Sequence, residues 1–292
     1  MNELKWFTYL KEGDSNIGKS ISDVLALLEE FGNHTWIFLD TESTGMEARE
    51  NQLIEIGAIA VDPRKWFETS EVIDTFNVKI KLNDDSKKLM NTPDSKQSKS
   101  WHQQQKRLSK PLKKPQDVLS MTKYGDSGTT YLEEQDALEK FEEFIQGFKD
   151  PLLVAQNATH DMSFLNGRKM TRMPRMPIFD TYPLIKLHLI PILLKIQNID
   201  VQSDEQDVKK QAIDILAKIK SGEKSYSASL GKVGPAMGFS VENWHSAVAD
   251  VRLMMDVFKK SIDILSFAQQ RQLNIRPEYD KAVSQHRKSK KK

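Results

Sequence analysis

Apolar residues in the first part of the chain follow two rhythms. Ile21, Val24, Leu25, Leu27, Leu28 and Phe31 recur at the three-to-four-residue spacing of an amphipathic helix, which Gly32 closes. The pattern then changes to short, dense runs rich in β-branched and aromatic residues, at 35–40 (TWIFLD), 53–61 (LIEIGAIAV) and 72–80 (VIDTFNVKI). These predict strands, and their direct succession predicts an antiparallel start to a sheet. Helical spacing returns over about 131–148, where Leu132, Leu138, Phe141, Phe144, Ile145 and Phe148 share a face. Pro151 introduces a short buried strand at 152–155, followed by a helix near 161–171 and a brief strand around 178–180. Helical segments then run to 220, interrupted by Pro191 and by a polar stretch at 197–207. A last helix is predicted over about 246–266, where Ala247, Val248, Val251, Met254, Met255 and Phe258 recur at helical spacing. Strands first, then helices alternating with strands, predict an α/β domain with a mixed central sheet flanked by helices.

Composition narrows the class without choosing a function. With 38% hydrophobic and 29% charged residues over 292 positions, the chain is polar but within the globular range. The absence of cysteine excludes disulfides, thiolate zinc sites and a cysteine nucleophile. The N-terminal MNELKWFTYLKEGDS lacks a basic segment followed by an apolar core, and no apolar run approaches the roughly 18 residues of a membrane span. A soluble, cytoplasmic chain without a membrane partner is the expectation. Net charge is only +2, so charge bears on partners only where it is local. Residues 86–115 hold nine basic residues against the single acid Asp94, and 281–292 hold six against none.

Candidate chemistry begins at the end of the first strand. In Asp40-Thr41-Glu42 the two acids are separated by one residue, so on a strand both carboxylates face one side. Held so close they repel, unless a hard cation such as Mg²⁺ lies between them. Ordinary solvated acids at a strand end are the plain alternative. A second group, Asn157 and Asp161, follows the buried strand 152–155, where acids often line the mouth of an α/β site. There the plain alternative is that Asp161 caps its helix. A third group opens the last helix, with His245 before or at its start and Asp250 more than one turn further on. Separate acids plus a histidine satisfy two-metal phosphodiester hydrolysis, in which two ions about 3.5–4 Å apart hold the phosphate. Histidine titrates near neutral pH and can take the proton of the attacking water.

These motifs resemble the DEDDh 3′→5′ exonuclease family, and in particular the proofreading epsilon subunits of bacterial polymerase III. The first motif stands as Asp40-Thr41-Glu42-Ser43-Thr44-Gly45-Met46, followed by Leu53-Ile54-Glu55-Ile56-Gly57-Ala58. The second stands as Gln156-Asn157-Ala158-Thr159-His160-Asp161, then Phe164-Leu165, and the third is His245 to Asp250. The resemblance covers about 34–266 and implies an RNase H-like fold and metal-dependent release of nucleoside 5′-monophosphates from nucleic-acid 3′ ends. It implies two divalent ions, Mg²⁺ or Mn²⁺, with Asp40 bridging both and Glu42 and Asp250 completing the tighter site. Asp161 would hold the second ion directly or through water, and His245 would be the general base. Residues around Ser43, Thr44, Met46 and Asn157 would hold the terminal nucleotide. The tyrosine branch of the family places its helper four residues before the last Asp, which is Ser246 here, so the histidine branch fits.

Departures from the family pattern concern substrate shape and leave the ligands in place. His160 and Gln156 replace a usual phenylalanine and a common histidine. Insertions near 86–130 and 191–226 have no counterpart in the minimal domain. The chain thus divides into an N-terminal extension (1–33), an exonuclease domain (34–268) and a basic tail (269–292). Trp101, within the basic insertion, is a candidate for stacking on an unpaired base. Single-stranded DNA 3′ ends are the expected substrate, because the first motif most resembles the proofreading and repair branch; RNA is the alternative. A polymerase or sliding clamp is a candidate partner, the latter through Gln272-Leu273-Asn274-Ile275.

One further motif competes. Residues 13–20, GDSNIGKS, match the phosphate-binding loop G-x-x-x-x-G-K-[ST] in full. A nucleotide-binding reading leaves Asn157, Asp161, His245 and Asp250 without a role, and too little chain precedes the loop to build such a domain.

Overall fold

The computed structural model describes residues 21–90, 130–167, 176–199, 205–223, 225–241 and 246–271. Trp101, His245, the phosphate-loop match at 13–20, the clamp-like segment 272–275, the basic tail beyond residue 271 and most of the basic insertion lie outside these residues.

Helix α1 (Ile21–Glu30) leads through a 3₁₀ turn into strand β1 (Thr35–Ser43). Strand β2 (Leu53–Val61) returns antiparallel to β1, and β3 (Asp74–Ile80) runs antiparallel to β2. Between them lies α2 (Pro63–Thr69), too short for the periodicity of its apolar residues to be read. After α3 (Asp84–Met90) come β4 (Tyr131–Leu132) and α4 (Glu134–Gln146). Strand β5 (Pro151–Ala155) pairs parallel with β1, α5 (Thr159–Gly167) follows, and β6 (Ile178–Asp180) pairs parallel with β5. The sheet is six-stranded and mixed, in the order β4-β3-β2-β1-β5-β6. It is the mixed α/β sheet flanked by helices that the sequence predicts.

Both faces of this sheet are covered, and alternation along β1 shows how. Trp36 and Phe38 point into a core shared with the C-terminal helices, whereas Ile37 and Leu39 join a second core with residues of α4 and α5. A ring cluster of Trp36, Phe38, Trp66 and Phe258 fills the first core at centroid separations of 5.1–6.3 Å. Its helices are α6 (Thr181–Pro183), the π-helical turn Leu184–Leu189, α7 (Ile190–Asn198), α8 (Gln206–Ile219), α9 (Leu230–Ala236) and α10 (Ala247–Gln270). Ile21, Val24 and Leu28 of α1 pack into the same core.

Pro191 differs from expectation, since it does not interrupt the helical run. Helical turns continue from 181 to 198, with Pro191 in the first turn of α7 directly after the π-helical turn. A wide turn ahead of a proline removes the clash between its ring and the carbonyl four residues back. Two helices carry no strong sequence signal: α3, in a lysine-rich polar stretch, and α9, which contains Pro235. Among the described residues no helix is long and apolar enough to cross a membrane.

Candidate active site

The site lies where the neighbour of β1 runs out. Strand β5 pairs with β1 from Thr35↔Pro151 to Phe38↔Val154 and ends at Ala155. Asp40 therefore sits just past the end of its parallel neighbour, at the carboxyl edge where α/β sheets open their clefts. Even-numbered residues of β1 face α10, so Asp40 and Glu42 continue the row of Trp36 and Phe38. Asp250, in the first turn of α10, meets them there. Single carboxylate oxygens of Asp40, Glu42 and Asp250 all lie within 4.8 Å of one another.

Asp161 arrives from the opposite face. It is 2% exposed, in the first turn of α5, and its Oδ1 accepts hydrogen bonds from the Thr41 backbone N–H (2.9 Å) and the Thr41 hydroxyl (2.7 Å). Thr41 is the odd-numbered residue between the two strand acids, so its side chain points toward α5. One strand end thus carries two acids on one face and tethers a third from the other. The cap role weighed for Asp161 is not what its Oδ1 does; that oxygen reaches across 120 residues of sequence to β1.

The turn that delivers Asp161 has its own support. Asn157 adopts a left-handed conformation (φ 62°), one that asparagine tolerates better than most residues. The Asp180 carboxylate at the end of β6 accepts from the backbone N–H of Asn157 (2.8 Å), Ala158 (3.1 Å) and Tyr182 (2.9 Å). Gln156 donates to the Ala228 carbonyl (2.9 Å) and accepts from Thr181 Oγ1.

Ser43, Thr44 and Met46 flank the site differently. Ser43 and Thr44 are buried, with side chains engaged within the β1–β2 connection: Ser43 Oγ donates to the Gly45 carbonyl (2.7 Å), and Thr44 Oγ1 accepts from Gln52 N–H (2.9 Å). Met46 is 53% exposed and Asn157 is also exposed, so both are available to a ligand.

The electrostatics are one-sided. Burial, then the charges of Asp161, Glu42, Asp250 and Glu55, hold the Asp40 carboxyl well above its ordinary range. Burial also raises Asp161, to about 7, against the Thr41 hydrogen bonds that favour its ionised form. Every charged group named as acting on Asp40 is an acid. Such a cluster is stable in its ionised form only with a cation among its oxygens.

Two groups escaped the sequence reading. Glu55 is 1% exposed in the wholly buried strand β2, directly across the ladder from Glu42. The signal was available: an acid inside the run LIEIGAIAV cannot be a solvated side chain when every neighbour is apolar. Asp180 was visible only as an acid at a strand end, and its three backbone hydrogen bonds needed the fold to appear.

Residues 37–100 match the exonuclease family model (RNase T). The resemblance is to the DEDD-type exonucleases. The matched segment carries Asp40 and Glu42 and ends before Asp161 and Asp250. Over 235 residues the chain is 25% identical to the PolC-type DNA polymerase III of Clostridium perfringens (strain 13 / Type A), covering 80% of this chain and 12% of that protein. The match to a polymerase III protein is thus to the PolC type, where the sequence motifs had suggested the epsilon subunit. Among solved structures, E. coli exonuclease I in complex with a dT13 oligonucleotide aligns at a TM-score of 0.46 and 13% identity, over 78% of this chain and 40% of that one. A product-bound exonuclease I aligns at 0.45 and 11%, over 81% and 46%. The chain therefore spans about an eighth of the curated polymerase and less than half of these exonuclease chains.

Proposed function

We propose that this chain is a metal-dependent 3′→5′ exonuclease that releases nucleoside 5′-monophosphates, with single-stranded DNA ends as the favoured substrate. The observation that carries this reading is the meeting of Asp40, Glu42 and Asp250 within 4.8 Å, with buried Asp161 tied to the same strand end. The donor set is all oxygen and all anionic, which suits Mg²⁺ or Mn²⁺ and not a soft metal. Bound there, two such ions would polarise the scissile phosphate and lower the pKa of the attacking water.

The chain's own residues do the rest. Asp40, Glu42 and Asp250 would hold the tighter site, and Asp161, oriented through Thr41, would complete the second. Water adds to phosphorus, and the bond from phosphorus to the 3′ oxygen of the penultimate nucleotide breaks. His245 accepts the proton of the attacking water, and the departing oxygen takes a proton from solvent to become the 3′-hydroxyl of the shortened strand. Exposed Met46 and Asn157 offer contacts to the terminal nucleotide, with the β1–β2 connection around Ser43 and Thr44 forming the wall beside it. Residues 34–268 form the exonuclease domain in this reading, interrupted by the insertions near 86–130 and 191–226, with α1 packed against it and the basic tail following it.

A direct test is hydrolysis of 5′-labelled DNA and RNA oligonucleotides, single- and double-stranded, with Mg²⁺, Mn²⁺ or EDTA. A ladder shortening from the 3′ end, with metal and not with EDTA, supports the reading, and full turnover in EDTA refutes it. Preference for the RNA strands would make the enzyme an exoribonuclease of the same class. The polymerase relative extends the proposal to a polymerase or sliding-clamp partner, tested by co-purification with the full-length chain.

A further inference from the structure

Glu55 is the buried acid that the proposed chemistry does not use. Its Oε1 accepts a hydrogen bond from Ser246 Oγ (3.1 Å), and the Ala247 backbone N–H beside it favours the ionised carboxylate. Its Oε2 makes no hydrogen bond, although the side chain is buried. These contacts fall at the start of α10, where Ser246 is the N-cap residue. Serine there ordinarily turns its hydroxyl to a free N–H of its own helix. Ser246 makes no such bond, and its hydroxyl goes to β2 instead. The start of α10 is therefore tied through Ser246 to a neighbouring strand.

A second observation, independent of any side-chain hydrogen bond, marks the same seat. Gly57 lies two residues beyond Glu55, on the same face of β2. A Cβ at Gly57 would stand 2.5 Å from the Val248 nitrogen and 2.6 Å from the Ala247 carbonyl carbon. The backbone of α10 therefore rests directly on that of β2. Ser246 is held at both ends, because its carbonyl accepts from the Asp250 N–H (3.0 Å) while its hydroxyl is bound to Glu55.

We propose that Glu55 is a positioning residue that pins the first turn of α10 to β2. Through Ser246 it fixes Asp250 against Asp40 and Glu42 and sets where the chain bearing His245 joins the helix. Of the clustered acids, Asp40 and Glu42 share one rigid strand, whereas Asp250 comes from a separate element. Its placement therefore depends on how firmly that helix is seated. The pinning stands on the geometry alone; its effect on hydrolysis rests on the function proposed above.

The test uses the full chain carrying Glu55→Ala, Glu55→Gln or Ser246→Ala, with amide hydrogen exchange over 247–255 measured beside kcat and KM. Glu55→Ala should speed exchange of the first-turn amides about tenfold, as release of the helix start from β2 would. It should lower kcat by roughly 10–10²-fold through misplacement of Asp250, with KM within about threefold. Glu55→Gln retains the accepting oxygen and should recover kcat to within about threefold of wild type. Ser246→Ala should show the same changes more weakly, and gives the answer if Glu55→Ala does not fold. Unchanged first-turn exchange in Ser246→Ala and Glu55→Ala would overturn the pinning. Faster exchange with unchanged kcat, or a Gln variant as impaired as the Ala variant, would overturn the positioning role. A wild-type protein that cleaves no oligonucleotide would strike the proposed function, and the exchange measurement would still decide the pinning.

Discussion

Replacing Asp161 with asparagine should stabilise the metal-free protein at neutral and alkaline pH while removing its activity. Burial is the dominant influence that raises Asp161 from 3.8 to about 7. A gap of about three pH units corresponds to roughly 4 kcal/mol, at 1.36 kcal/mol per unit. Below pH 3.8 the folded and unfolded chains both carry the proton. Between 3.8 and about 7 the folded chain keeps a proton that the unfolded chain has lost, so wild-type stability falls as pH rises and levels off above 7. Asparagine keeps an oxygen to accept from Thr41 N–H and Oγ1, which bond Asp161 at 2.9 and 2.7 Å. Those bonds weaken when the acceptor loses its charge, so about half the electrostatic cost, roughly 2 kcal/mol, should appear as net gain. For a domain of this size that is a rise in Tm of roughly 4–8 °C at pH 8. Scanning calorimetry in EDTA from pH 4 to 8 measures it, with the difference growing across the range. Adding Mn²⁺ should raise the wild-type Tm more than the variant's, because a bound cation stabilises only the state that holds it. An Asp161→Asn protein no more stable than wild type at pH 8, or a difference that does not change with pH, would refute the reasoning.

Asp40→Ala should abolish hydrolysis and be at least as thermally stable as wild type in EDTA, since it removes the acid on which Asp161, Glu42, Asp250 and Glu55 converge; a clear loss of Tm would argue against carboxylate repulsion. His245→Ala should lose roughly 10²–10⁴-fold in kcat, the usual contribution of a positioned proton acceptor, with Mn²⁺ affinity preserved in a binding titration. The basic stretches 86–115 and 281–292 should supply affinity and not catalysis. Deleting 281–292 and neutralising Lys106, Arg107, Lys113 and Lys114 should raise KM and flatten its salt dependence, with kcat nearly unchanged. An unchanged salt slope would show that these charges do not touch the substrate.

Much of the frame was legible along the chain because it rests on local regularity. Dense β-branched runs gave β1, β2 and β3, and β2 and β6 have the predicted limits. Alternation on a strand placed Asp40 and Glu42 on one side before any tertiary contact was known. Short elements were lost, because seven residues of α2 or two of β4 give periodicity too little length to show itself.

What the sequence determined by itself, then, was which residues carry the acids and which elements present them, since period and residue type are properties of neighbouring positions. Convergence belongs to the tertiary structure. That Asp161 reaches Thr41 across the end of β5, that Asp250 meets Asp40 and that Glu55 holds Ser246 from another strand all depend on pairings far apart in the chain. No local pattern encodes such distances. They follow from burying both faces of one sheet, which seats α5 and α10 on opposite sides of the strand end that holds Asp40 and Glu42.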